Sequence, residues 1–494
     1  MKRLAALFLT LTLLLSLCAC GAQPAKDSTP ATTTTGAVTT TTTEPPVPQI
    51  AFPDLPDTGM TVTATLEGVL LSDYTLVYGA DAPDYTARAV SYLRDELRRI
   101  TGATLPVITD DQPAAAHEIV VGETNRPISA TLNEELEGVE FSMLSADGHV
   151  AMEGDYFVIA AAAYYFIATY ITDPDVAAVM PATAQVHTPI VEKANNYILL
   201  IGDGMGAVQT TMPQRLNGTE LADYTDGESI FYGSMLPYSG YAHTNSLENT
   251  TDSAAAATAL ATGYKTTNGR IGRDKDGKDL LSIIELASSL GMGTAVMTTD
   301  VATGATPGAF TSHADDRDDT DDIAAGQQVV QDTCGTLIDA GRDVYTAYSV
   351  YQLENTLTSM LSTLNGGENG FFMMYEEGHI DKHGHDMNVD NAARAVLRFN
   401  QAIGRVMEFA FYHPDTFVLI TADHETGGLY VLEDKFKYNS GGHTSRDVPV
   451  YAYGVGAEVF DGKTIENVQI PKTIVSMWGE SLAADTDDQY PVLK

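Results

Sequence analysis

The tightest constraint on this chain is a repeated alternation in its second half. Four compact apolar runs, Tyr197–Ile201, Thr294–Met297, Phe371–Tyr375 and Thr416–Thr421, have the unbroken hydrophobicity of strands covered on both faces. Between the last two, Ala392, Val396, Phe399, Ile403, Val406 and Ala410 step by four and three, the stripe of an amphipathic helix. Buried strands alternating with such helices predict an α/β fold, a mainly parallel central sheet with helices on both faces. Ligands of that architecture sit beyond the carboxyl ends of the strands, so chemistry is expected directly after each run.

The chain is 494 residues long, which leaves room for further units. Met1-Lys2-Arg3 followed by the uncharged Leu4–Leu17 has the build of a secretory signal. Leu17-Cys18-Ala19-Cys20-Gly21 resembles a bacterial lipobox. Residues 1–20 are therefore expected to be a lipoprotein signal peptide, with a lipid anchor at Cys20 and an extracytoplasmic, membrane-attached location; ordinary signal cleavage is the alternative. Residues 21–50, rich in Thr and Pro, cannot bury enough apolar surface to offset their ordering entropy and read as a disordered tether.

Residues 51–192 are expected to form a small α/β accessory domain. Strands at Tyr74–Tyr78 and Glu118–Gly122 flank a helix carrying Ala89, Leu93, Leu97 and Ile100 on one face. Tyr156–Ala160 reads as a strand running into a buried helix over Ala161–Ile171. The segments LRRITGATLPV and IVVGETNR are similar to the small domain that precedes the barrel in some exo-acting glycosidases, so either a glycan-binding role or plain scaffolding would suit it. Residues 193–494 then form the large domain.

Composition narrows the partners. Acidic residues outnumber basic ones 66 to 27, a formal charge of −39, which argues against a broad nucleic-acid-binding face. Of the 3 cysteines, Cys18 and Cys20 lie in the leader, so no disulfide framework is possible and Cys334 is expected to be an inert buried thiol.

Four positions satisfy the strand-end rule. They are Asp203 within Gly202-Asp203-Gly204-Met205-Gly206, the stretch Glu376 to His385, Asp423-His424-Glu425, and Gly441-Gly442-His443-Thr444 ahead of the run Val448–Ala452. A lone Asp-His pair on a loop is usually a solvated cap, but four acid or imidazole sites at one sheet edge suit bound metal. Mixed His and carboxylate ligands fit zinc; carboxylate and hydroxyl ligands fit magnesium. The stretch Thr251-Asp252-Ser253 followed by four alanines opens a helix. Asp252 or Ser253 could simply cap it. The free N–H groups and positive dipole end there also favour an anion beside Ser253.

The segments GDGMG, DSAAAATALATGYKT, ATPGAFTSH, EEGHIDKHGH, TADHETGG and GGHT together resemble the alkaline phosphatase family, in the family's order and spacing, over most of residues 195–460. The resemblance implies an alkaline-phosphatase-like three-layer sandwich and a phosphomonoester hydrolase working through a phosphoserine. It implies Ser253 as nucleophile and Arg317 as the fork that grips phosphate. One zinc would be held by Asp381, His385 and His443, a second by Asp203, Asp423 and His424. One magnesium would be held by Thr306 and Glu376, with Asp203 bridging to it. Glu376 is chosen over Glu377 because the family glutamate stands five residues before the zinc aspartate. A homodimer is also implied.

One departure is Gly304, two residues before Thr306, where the family usually has Asp or His. The loss removes the usual partner of Lys382 and is expected to weaken magnesium retention. The Asp-rich run Asp315–Asp322 reads as a solvated loop apart from Arg317. Four carboxylates against two zincs and one magnesium leave the site at about +2 before Arg317 is counted, matched to a phosphate monoester dianion. A phosphodiesterase of the same superfamily, or a surface glycan- or phosphate-binding lipoprotein with a weak catalytic domain, are the alternatives.

Overall fold

The computed structural model describes residues 52, 55, 58–132, 135–216, 230–341, 350–482 and 490–494. The leader, the tether and Cys20 lie outside these residues.

The first sheet is built from β1 (Thr75–Tyr78), β2 (Val107–Thr109), β3 (Glu118–Val121), β4 (Phe141–Ala146), β5 (His149–Gly154) and β6 (Gln185–His187), in the order β2-β1-β3-β5-β4-β6. Its first four strands are parallel, while β4 runs antiparallel to both β5 and β6. Helix α1 (Asp84–Thr101) buries Ala89, Leu93 and Leu97 of the stripe read from the sequence, together with Val90, while Ile100 near its end is only partly buried; it stops where Gly102 turns left-handed.

The expected strand at Tyr156–Ala160 is not formed. β5 already ends at Gly154, the chain reverses at Tyr156 with φ 51°, and Tyr156–Val158 make one tight helical turn leading into α2 (Ile159–Tyr170). A short apolar run buried on all sides carries no period by which strand and helix can be told apart.

The second sheet has eight strands: β7 (Asn196–Gly202), β8 (Tyr238–His243), β9 (Gly293–Thr298), β10 (Leu337–Ala340), β11 (Phe371–Glu377), β12 (Thr416–Thr421), β13 (Val448–Tyr453) and β14 (Thr464–Glu466). Their order is β10-β9-β11-β7-β12-β13-β8-β14. β10, β9, β11, β7 and β12 are parallel, and β13 is antiparallel to both its neighbours. Every residue of β7, β11 and β12 is buried, which is why these strands read as unbroken apolar runs.

Four helices matter to the site: α3 (Ser253–Thr262), α4 (Ala305–Thr311), α5 (His379–His385) and α6 (Val389–Tyr412). Helix α6 buries the predicted residues Ala392, Val396, Phe399, Ile403, Val406 and Ala410. It also ties the two sheets together. Phe157, just ahead of α2, packs its ring 5.7 Å from Phe411 of α6 and 5.0 Å from Tyr232. One hydrophobic core therefore runs through both sheets, and residues 48–494 form one compact unit. Cys334, expected to be buried, is a half-buried free thiol at the end of the helix Thr320–Cys334, because that helix lies on the surface with only Ile323, Gln327 and Val330 inward. Among the described residues no helix is long and apolar enough to cross a membrane.

Candidate active site

Three neighbouring strands, β11, β7 and β12, end level with one another, since Gly202 lies beside Glu377 and Ile201 beside Thr421. The loops leaving them deliver the polar residues. Asp203 follows β7, and Gly204 lets the chain turn at φ 77°; a Cβ there would stand 2.8 Å from Asp381 Cα. Asp381 and His385 lie one turn apart on α5. Asp423 and His424 follow β12, and the chain returns through the pair Glu425–Thr426 with His443–Thr444. Between these paired ends it leaves as an exposed hairpin, Tyr430–Leu432 against Lys435–Lys437.

The first cluster is Asp381, His385 and His443. His385 Nε2 lies 3.2 Å from Asp381 Oδ2 and 3.1 Å from His443 Nε2, which is 3.4 Å from Asp381 Oδ1. His385 Nδ1 is 2.7 Å from the carbonyl of Gly441, and His443 Nδ1 is 2.8 Å from the carbonyl of Thr251. A carbonyl only accepts, so each imidazole places its proton on Nδ1 and turns an Nε2 lone pair inward, the arrangement of a metal-binding histidine. Ligand atoms about 2.0–2.1 Å from a tetrahedral zinc stand about 3.3–3.4 Å apart, close to this triangle.

The second cluster is Asp203, Asp423 and His424. His424 Nε2 lies 3.6 Å from Asp203 Oδ1 and 3.1 Å from Asp423 Oδ2, and both carboxylate oxygens are buried without a hydrogen-bond partner. The other oxygen of Asp423 accepts the N–H groups of Gly204 and His424. Ser253 Oγ is 3.1 Å from the same His424 Nε2. Ser253 opens α3, where Asp252 caps the helix by accepting the Ala255 N–H at 2.9 Å.

The third group surrounds Glu376. Its carboxylate accepts the Thr298 hydroxyl and faces the Thr306 hydroxyl on α4, with Asp300 close by. Glu377 points elsewhere: Arg398 of α6 binds both its oxygens, at 2.8 and 2.6 Å. Of the two neighbouring glutamates, Glu376 is the one that faces Thr306 and Glu377 the one that pairs with Arg398.

The electrostatics reflect carboxylates crowded without compensating charge. Burial, with the charges of Asp423, Asp381 and Glu376, raises Asp203 well above the carboxylate range. Burial and the Asp381 charge push Asp423 up to about 7, and burial and Asp300 push Glu376 up to about 8. Burial and the neighbouring His443 hold His424 well below its ordinary value. Asp381 is lowered, burial being outweighed by hydrogen bonds from His385 and His443. Divalent cations would relieve this repulsion, and the orphaned oxygens of Asp203 and Asp423 are the donor atoms for them.

The structure thus brings Asp203, Ser253, Asp381, His385, Asp423, His424 and His443 around one point, with Glu376 and Thr306 adjacent. Arg317 stands at the rim, its side chain 37% exposed, with Nη1 3.4 Å from Asp252 Oδ2. Asp300 and Thr298 were not singled out in the sequence. Asp300 stands three residues after the run Thr294–Met297, close enough to its end for the strand-end rule that found the others to apply to it.

The matches to known proteins agree with this architecture. Residues 194–341 and 342–436 match the family model described as Alkaline phosphatase. Alkaline phosphatase 3 of Bacillus subtilis is 25% identical over 414 residues, covering 57% of this chain and 88% of that protein. Alkaline phosphatase 4 of the same organism is 31% identical over 296 residues, covering 48% and 62%. Among solved structures, the alkaline phosphatase of the Antarctic bacterium TAB5 superposes with a TM-score of 0.50 at 24% identity, over 58% of this chain and 98% of that one. The cold-active enzyme of a Shewanella species gives 0.50 at 23%, over 57% and 99%. The fold is that of a phosphatase-type hydrolase. Over residues 194–436 the chain is similar to the alkaline phosphatase family.

Proposed function

We propose that this phosphatase is a metal-dependent phosphomonoester hydrolase that transfers the phosphoryl group through Ser253. The observation that carries the reading is the convergence on His424 Nε2. Asp203, Asp423 and Ser253 all approach that one nitrogen. A serine–histidine–aspartate relay needs the acid on Nδ1, and here Nδ1 instead meets Thr426 Oγ1 at 3.3 Å. One lone pair cannot serve three oxygen groups, so a cation among them is the chemistry that fits.

In this reading Asp381, His385 and His443 hold one zinc, Asp203, Asp423 and His424 a second, and Glu376, Thr306 and Asp203 a magnesium. When bound, these ions supply Lewis-acid stabilisation of the attacking, leaving and phosphoryl oxygens. Ser253 presents its hydroxyl from a fixed point, since α3 is buried along its whole length. The free N–H groups at the start of α3 face an incoming anion. Arg317, half-exposed at the rim and tethered to Asp252, is placed to fork two phosphoryl oxygens. Asp252 also accepts the Gly269 N–H, so arginine and nucleophile share one anchor.

The test compares an aryl phosphate with its diester on protein loaded with zinc and magnesium, together with metal analysis. Ser253→Ala is expected to retain its metal and its melting temperature and to lose phosphoenzyme formation. Full turnover by that variant would remove Ser253 from the mechanism, and faster diester than monoester hydrolysis would favour the diesterase reading.

The chain's beginning supports a second proposal, extracytoplasmic attachment through a lipid on Cys20 and the 21–50 tether. Mass spectrometry of the membrane fraction tests it: an unmodified Cys20 would exclude the anchor. Residues 51–192 are proposed as an accessory element and the protein as a homodimer, the latter open to light scattering.

A further inference from the structure

Gly304 leaves a gap beside the Glu376 group, and the structure fills it from another part of the chain. Asp300 lies four residues upstream, in the turn that leaves β9, and its side chain is 17% exposed. A Cβ built on Gly304 would stand 3.0 Å from Asp300 Oδ2, so the carboxylate lies in the space a side chain at 304 would enter. Gly378 makes this approach possible, because a Cβ there would fall 2.9 Å from Asp300 Cβ. The Asp300 N–H donates to Thr298 Oγ1 at 2.9 Å, and the Thr298 hydroxyl in turn donates to Glu376. On its open side the Asp300 carboxylate forms a close ion pair with Lys382, which follows Asp381 on α5. The Lys382 charge also acts on Asp203.

We propose that Asp300 is a positioning residue: its carboxylate replaces across space what Gly304 lacks, holding the Lys382 ammonium over the Glu376–Asp203 side of the site. There Lys382 meets the phosphoryl oxygens of a bound monoester, and Asp300 steadies the magnesium assigned to Glu376 and Thr306. The inference rests on the phosphomonoesterase reading. It reverses the expectation that Gly304 weakens magnesium retention, because the missing carboxylate is supplied from position 300. The geometry favours a rigid arrangement, since the backbone of Asp300 is tied to Thr298 and its Cβ is seated against Gly378.

The test uses the full chain loaded with zinc and magnesium. Three quantities are read: the inhibition constant of inorganic phosphate, the magnesium kept after transfer to magnesium-free buffer, and the melting temperature. Asp300→Ala is expected to raise the phosphate constant about tenfold, the worth of one lost charge-assisted contact, and to lower retained magnesium. Asp300→Asn, which keeps the shape, should move both in the same direction with an unchanged melting temperature. Adding Gly304→Asp to Asp300→Ala should recover both. Because Asp300 acts on phosphate through Lys382, Lys382→Ala and Lys382→Ala/Asp300→Ala should share one phosphate constant. Unchanged phosphate constant and magnesium in the folded Asp300→Asn variant would overturn the inference, as would additive effects with Lys382→Ala. Absence of aryl-phosphate turnover in the unmodified protein would instead sink the phosphomonoesterase reading, while magnesium retention would still report on Asp300.

Discussion

Replacing Asp423 by Asn should stabilise the metal-free protein while destroying its capacity for metal. Asp423 is fully buried, and burial with the Asp381 charge raises it from 3.8 to about 7. A carboxyl held higher in the folded state than in the unfolded one keeps its proton on folding. Stability is therefore complete below the unfolded value, falls as pH rises through the interval, and stays low above about 7. Three units at about 1.36 kcal/mol each give a penalty of about 4 kcal/mol at pH 8. Asn removes that penalty at little geometric cost. Its oxygen can still accept the Gly204 and His424 N–H groups, and its new N–H₂ donates toward Asp203 Oδ1 and His424 Nε2, where the orphaned oxygen stood. Urea unfolding in chelator at pH 8 should therefore favour Asp423→Asn by up to about 4 kcal/mol, with the gap closing by about pH 4. Saturating zinc should invert the order, since bound metal stabilises only the protein that can hold it. If the variant were the weaker protein in chelator at pH 8, the account of crowded, uncompensated carboxylates would be refuted.

Two further outcomes follow from the same geometry. Arg317→Ala should raise the inhibition constant of phosphate by about tenfold to a hundredfold, measured by competition, with the melting temperature unchanged because the side chain is half-exposed. Arg398→Met should cost about 3–5 kcal/mol in urea unfolding at neutral pH, because it strands the buried Glu377 without its partner. Burial alone would raise Glu377; the Arg398 charge and the His379 hydrogen bond hold it at about 2, so this contribution is present above about 4.5 and fades as pH falls toward 2.

Much of the large sheet was legible in the sequence because its strands are covered on both faces. Tyr197–Ile201 and Thr416–Thr421 have no solvent side, so burial alone writes them as apolar runs. Helix α6 was legible for the opposite reason, since one face is wet and the other dry. The strand ends then pointed to Asp203, Asp381, Asp423 and His424. Tyr156–Ala160 was misread because a short segment buried all round has no period. The link between the sheets could not be read either, since the packing of Phe157 on Tyr232 and Phe411 joins positions far apart in the chain. Asp300 stands where the strand-end rule looks, but its reach into the space beside Gly304 is set by the turn after β9 and leaves no mark in spacing.

The short pairing of Glu425–Thr426 with His443–Thr444 has a practical consequence. It clamps both feet of the exposed Tyr430–Lys437 hairpin; the outgoing foot follows directly on Asp423 and His424, and the returning foot carries His443. Length or sequence grafted into the finger beyond the clamp is borne by the clamp, not by the reacting atoms. The finger is thus a place where length can change while the pairing at its base keeps its geometry.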